Sequence, residues 1–206
     1  DDLDFMVHPD DLMKAIRMTQ ARGWPPHLTL REPELEAYLR AGWDYSCHIP
    51  TADCWIELGS SIGPAYFSYR IDPREFWTDL GTATLEGRPV PCLSPPALLV
   101  LLCLHGNNHA WERIQWVADV AAVVRAHPHL DWSKALARAG RWHVRRAFLL
   151  GMELACRTTG VPSPPAIREA TRGEPDLGTF IPGIVNRWGS PERFHPSRRE
   201  RLRLHL

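Results

Sequence analysis

The hydrophobic pattern changes period near residue 94, and this confines the chain to strands mixed with helices in its first half and helices alone in its second. Leu3-Asp4-Phe5-Met6-Val7 reads as a strand ended by His8-Pro9. A helix is expected from about Asp10 or Asp11, with Leu12, Met13 and Ile16 on one side, stopping near Gly23-Trp24-Pro25-Pro26. Residues 33–41 read as a second helix, with Pro33 in its first turn and Gly42 closing it. Residues 43–49 and 54–58 read as strands around the turn Pro50-Thr51-Ala52-Asp53, and weaker strands are expected at 66–71 and 83–90. Beyond the change, Ser94 is an expected N-cap with Pro95 or Pro96 in the first turn, and the run 97–104 is apolar enough for a buried helix. Helices are also expected at about 108–126, from the Asp131 cap through Ala139, and at 141–158. After Gly160 the sequence turns rich in Pro, Gly and Arg, and no element is predicted. The expected fold class is therefore α/β (α+β), with an α/β domain over residues 1–93 and a helical domain with a basic irregular tail over 94–206.

Twenty-four basic and 24 acidic side chains leave no formal net charge, which argues against a general nucleic-acid or membrane binder. The longest apolar run, Ala97 to Leu104, is far short of the roughly 20 residues a membrane span needs. Five widely spaced cysteines without a C-x-x-C fit free thiols in a reducing, cytoplasmic setting. The sequence begins on an acidic strand without an initiator Met, so further residues upstream are expected.

Asp2 and Asp4 are two apart on the first predicted strand, so their side chains share a face. Glu57 alternates with Ile56 and Leu58 and so faces away from the core those residues enter. Three such carboxylates suit magnesium, which takes a few carboxylates and fills its other positions with phosphate oxygens and water. Paired ions of this kind clamp the attacking and leaving oxygens of an in-line phosphoryl displacement. By themselves Asp2 and Asp4 also fit a solvated acidic end or a helix cap, and Glu57 an exposed strand position.

Asp2-Leu3-Asp4-Phe5-Met6-Val7 resembles the metal-binding D-x-D strand of the nucleotidyltransferase (DNA polymerase beta-like) superfamily. Trp55-Ile56-Glu57-Leu58, Phe76-Trp77 and the segment 85–94 are similar to one branch of it, the uncharacterised nucleotidyltransferases. The most specific similarity lies in His105-Gly106-Asn107-Asn108-His109-Ala110-Trp111-Glu112-Arg113-Ile114 and Trp116-Val117-Ala118-Asp119-Val120, within a resemblance over residues 1 to about 162. It implies a nucleotidyltransferase-type mixed sheet with flanking helices, followed by a helical bundle. It implies transfer of a nucleoside monophosphate, AMP from ATP as the leading expectation, to a hydroxyl of a small molecule, peptide or protein. Asp2 and Asp4 would ligate magnesium, two ions being expected, and Glu57 would bind the catalytic ion or help deprotonate the acceptor. The superfamily's Gly-Ser loop lies upstream of the D-x-D and is not in this sequence, and Gly59 stands where relatives often carry His. The alternative function is a catalytically inactive relative acting as a partner-binding or antitoxin-like module.

His105 and His109, four apart, share a helix face if the helix expected from about Asn108 extends that far back, and Arg113 continues the same face a further four residues on. A zinc hydrolase is disfavoured, because Gly106 stands where H-E-x-x-H carries its general base and no third ligand is evident. Two readings stay open: His105, His109 and Arg113 contact substrate phosphate or acceptor, or they hydrogen-bond between sheet and helices.

Overall fold

The structure is a computed structural model that describes residues 2–63, 69 and 71–188, with Asp2 through its backbone alone. The chain divides into two compact units, Asp1–Thr78 and Asp79–Leu206.

The first unit is built on a three-stranded sheet of order β1-β3-β2, from β1 (Asp2–Met6), β2 (Tyr45–Ile49) and β3 (Cys54–Gly59). β1 runs parallel to β3 and β2 antiparallel to it, so the sheet is mixed. Alternation along the strands sends Tyr45, Cys47, Ile56 and Leu58 to one face. There they meet Leu12 and Ile16 of α1 (Leu12–Ala21) and Leu35 of α2 (Glu32–Arg40), which form the core of this unit. Asp10 and Asp11 fall in a short 3-10 turn, Pro9–Asp11, and the α-helix proper begins at Leu12. A second 3-10 turn, Pro73–Trp77, follows Asp72, whose side chain accepts from the Arg74 N–H at 3.0 Å. The strand expected at 66–71 falls largely outside the described residues.

The second unit opens with a hairpin rather than the single strand expected at 83–90. β4 (Leu80–Leu85) pairs antiparallel with β5 (Arg88–Leu93). Between them Glu86 and Gly87 both take positive φ, 48° and 77°. Two left-handed residues make the tight turn whose twist matches the flanking strands, and the X-Gly pair was its sequence signal.

α3 (Pro95–Asn108) is apolar on nearly every side, which suits a central helix. α4 (Ile114–Ala126) and α6 (Arg145–Thr159) pack on it and on each other, α5 (Trp132–Arg141) packs on α3 and α6, and α8 (Leu177–Trp188) packs on α6. α7 (Pro165–Arg172) completes the set through Ile167, which is fully buried. α7 and α8 replace the irregular segment expected after Gly160. Prolines begin α7 and interrupt α8 at Pro182, which disguised helices stabilised by tertiary burial of Ile167, Ile181 and Ile184.

Ser94 occupies the expected N-cap position of α3, but its hydroxyl donates to Asp79 at 2.6 Å instead of capping the helix. Asp79 also accepts from Lys134 and from Arg138 of α5, each at 2.8 Å, and the Arg138 guanidinium lies 5.2 Å from the Trp142 ring. This network ties the start of the unit to α5 around a buried arginine.

The Trp111 ring is fully buried in a slot that only glycines permit. A Cβ at Gly106 would lie 2.4 Å from the ring, and one at Gly151 would lie 2.6 Å from the Cys103 sulfur and 2.9 Å from the ring. Gly106→Ala is expected to destabilise the fold by about 2 kcal/mol, as overpacking of a filled core does. Urea unfolding measures it, and an unchanged midpoint would mean the slot is looser than described.

Candidate active site

On β1, β2 and β3 the face opposite the core is polar, and the strand register arranges it in rows. Asp4 pairs with Glu57, which in turn pairs with Ser46 of β2. One row along, Asp2 pairs with Trp55, which pairs with His48. Asp4 and Glu57 are therefore register neighbours on adjacent parallel strands. The Asp2 backbone lies two positions along the same strand; its side chain is outside the description. The Ser46 hydroxyl donates to Glu57 at 3.1 Å, which fixes one oxygen of that carboxylate.

Asp44 was missed by the sequence reasoning and belongs to this face. It directly precedes β2, and its carboxylate fills the space over Gly59, where a Cβ would lie 1.9 Å from Asp44 Oδ1. A side chain at position 59 would have to displace it. Burial, then repulsion from Glu57 and Asp4, pushes the Asp44 carboxyl up to about 6. The same crowding, led by burial and followed by the charges of Asp44 and Glu57, raises the Tyr38 phenol. The signal for Asp44 was present in the alternation Asp44-Tyr45-Ser46-Cys47-His48-Ile49, in which every second residue is polar.

Aromatic rings border the carboxylates. Trp55 is contacted by His27 at 5.6 Å and by His48 at 5.1 Å between centroids. Asp44 and Ser46 also line a small depression with His27, Leu30, Leu35 and Tyr38. Among the described residues no three His, Cys, Asp or Glu side chains already converge as a metal site. Asp4 and Glu57 nevertheless present hard oxygen donors on one face, with Asp44 beside them. Their mutual repulsion is what a divalent cation would relieve, so the residues fit magnesium.

A carboxyl pKa raised in this way carries a stability cost with a definite sign. Folded Asp44 holds its proton to higher pH than unfolded Asp44, so the native state loses relative stability as pH rises from about 4 to about 6 and not further. Asp44→Asn is expected to stabilise the metal-free protein above pH 6 by on the order of 2 kcal/mol, and not at all near pH 4. Chemical denaturation at pH 4 and pH 7.5 checks this; equal effects at both pH values would contradict it.

In the second unit His105, His109 and Arg113 are grouped around Trp116. The imidazoles lie 4.7 Å apart, His109 lies 4.9 Å and His105 5.6 Å from the Trp116 ring, and the Arg113 guanidinium is 5.9 Å from it. The two histidines share a helix turn as expected, but Arg113 does not continue that helix. α3 ends at Asn108, and Arg113 is the N-cap of α4. His109 keeps some open surface, yet its ring loses water to its neighbours. That desolvation, then the charges of His105 and Arg113, lowers it to about 4. Both rings are thus set against a cationic arginine with His109 neutral at pH 7.

A family model described as "Uncharacterised nucleotidyltransferase" matches residues 1–160, which spans both the carboxylate face and the histidine cluster. The chain belongs to that family. No curated protein and no solved structure matches it. This nucleotidyltransferase-family chain is a mixed α+β protein, and among its described residues no helix is long and apolar enough to cross a membrane. Its five cysteines are free thiols; burial, then the nearby Cys156, pushes the fully buried Cys103 well above the usual range.

Proposed function

We propose that the chain moves a nucleoside monophosphate, AMP from ATP, to a hydroxyl on a small molecule, peptide or protein, in a magnesium-dependent reaction. The observation that carries this reading is the register pairing of Asp4 with Glu57 in a member of a nucleotidyltransferase family. Asp2, Asp4 and Glu57 would hold the magnesium, with Asp44 adding negative charge beside them. When bound, the ions would neutralise charge on the transferred phosphate and the departing pyrophosphate. The acceptor oxygen forms its bond to the α-phosphorus as the bond to pyrophosphate breaks. Glu57, held by Ser46, supports the nucleophile as an ion ligand or by taking its proton. In the second unit His105, His109 and Arg113 serve as contacts to substrate phosphate or acceptor. Arg113 suits this because its planar fork matches phosphate oxygens. A cytoplasmic setting agrees with the free thiols.

A non-catalytic, partner-binding or antitoxin-like relative has one observation in its favour. Leu3 and Phe5, on the core side of β1, are 50% and 49% exposed. Thermal shift with ATP, GTP, CTP and UTP, with and without magnesium, tests the two readings. Stabilisation by one nucleotide only when magnesium is present supports transfer; no shift with any nucleotide supports the partner-binding module.

A further inference from the structure

α3 ends in a backbone motif that normally requires glycine. The Ala110 N–H donates to the Asn107 carbonyl at 2.9 Å and the Trp111 N–H donates to the Gly106 carbonyl at 2.8 Å. This is the Schellman pattern, and the residue at its left-handed position is usually Gly. Here Ala110 takes φ 52° and Trp111 takes φ 53°, two successive non-glycine residues in the left-handed region. Such residues are strained and persist only when their surroundings hold them.

Two sets of contacts hold them. The Trp111 ring fills the slot that Gly106 and Gly151 leave open. The last turn of α8 then reaches both carbonyls of the strained pair. Arg187 Nη2 donates to the Ala110 carbonyl at 2.8 Å, and Trp188 Nε1 donates to the Trp111 carbonyl at 2.7 Å. The strained pair, with Glu112, links His109 to Arg113. α8 lies outside residues 1–160, the part matched to the family.

We propose that α8 is a positioning element: Arg187 and Trp188 lock the Ala110–Trp111 turn and thereby set His109 and Arg113 around Trp116. Relaxation of the pair to right-handed dihedrals would continue α3 past His109 and carry Trp116 roughly 16 Å along the helix axis from His105, whose ring it now meets at 5.6 Å. The binding arm of the test rests on the reading of His109 and Arg113 as phosphate contacts; the positioning arm does not.

The test uses the whole chain as wild type, as the Arg187→Met, Trp188→Phe double variant, and as that variant with Ala110→Gly added. The His109 ring proton is followed by NMR against pH, assigned by its disappearance in His109→Gln. Tripolyphosphate binding is measured in parallel by calorimetry. In the double variant, His109 is expected to titrate about one pH unit or more above its wild-type value, because its crowding is relaxed. Tripolyphosphate affinity is expected to fall about tenfold, because His105 and Arg113 no longer converge around Trp116. Ala110→Gly removes the left-handed penalty and is expected to restore both readouts. A merely structural role for α8 would lower the melting temperature without moving the His109 titration, and that result overturns the proposal. So does a failure of Ala110→Gly to restore the titration. If the double variant does not fold, Trp188→Phe alone is read by the same criteria. Should His109 respond as expected while wild type binds no tripolyphosphate, the positioning role stands and the phosphate-contact reading fails.

Discussion

Asp4→Asn and Glu57→Gln are each expected to lower nucleotidyl transfer by about 10²–10³-fold, the size of effect seen when one preorganised electrostatic contact is removed from a reacting centre. Neither change is expected to harm the fold. Asp4 and Glu57 are neighbours across parallel strands on the face opposite the core, so neutral isosteres remove charge without disturbing the contacts of Ile56 and Leu58. Neutralising either one also lessens its repulsion of Asp44, whose carboxyl is raised to about 6 partly by those two charges. Activity and stability should therefore move in opposite directions, as they do where a site holds like charges together for function. A label-transfer assay beside a melting curve measures both. A variant that loses stability together with activity would make these carboxylates structural.

The largest expected loss of stability lies elsewhere. Asp79→Ala is expected to destabilise the protein by about 3 kcal/mol, the lower end of the range for leaving one partner of a buried ion pair uncompensated. Its carboxylate accepts from Lys134, Arg138 and Ser94, and the Arg138 side chain is only 3% exposed, so water cannot replace the lost partner. Hydrogen bonds from Lys134 first, then Ser94, hold the Asp79 carboxyl below the usual range. A depressed carboxyl stabilises the native state fully above the unfolded value of about 4, and that contribution is lost as pH falls through the lower folded value. Wild type and Asp79→Ala should accordingly differ most above about pH 5 and converge toward pH 2. Urea midpoints across that interval measure the effect, and a constant difference across it would show that the ion pair is not its source.

The strands of the first unit were legible because one side is buried and the other polar. The period of two in residues 43–49 and 54–58 survives into β2 and β3, and it turned Glu57 outward as expected. α6 was legible through its apolar face and the left-handed Gly160 that closes it. The β4–β5 turn carried only half of its usual signal, Gly87, because Glu86, a residue that disfavours positive φ, occupies the other half. The break between α3 and α4 was hidden for a similar reason. Ala110 stands where a glycine would have marked the helix end, and the donors from α8 that hold it come from 77 residues away in sequence. Arg113 was therefore expected on the helix of His105 and His109 and is instead the N-cap of α4, the turn folding Trp116 back against both imidazoles. Asp44 escaped notice because its partners, Gly59 and the Asp4–Glu57 pair, are set by strand pairing rather than by any spacing within one segment.

The most direct test of the carboxylate face is Mn²⁺ binding measured by electron paramagnetic resonance, with and without ATP, in wild type and in the Asp4→Asn, Glu57→Gln double variant. Bound manganese that increases with ATP in wild type and is lost in the folded variant is the predicted result. Equal binding by the two proteins, with or without nucleotide, would contradict the assignment of Asp4 and Glu57 to a metal–nucleotide site.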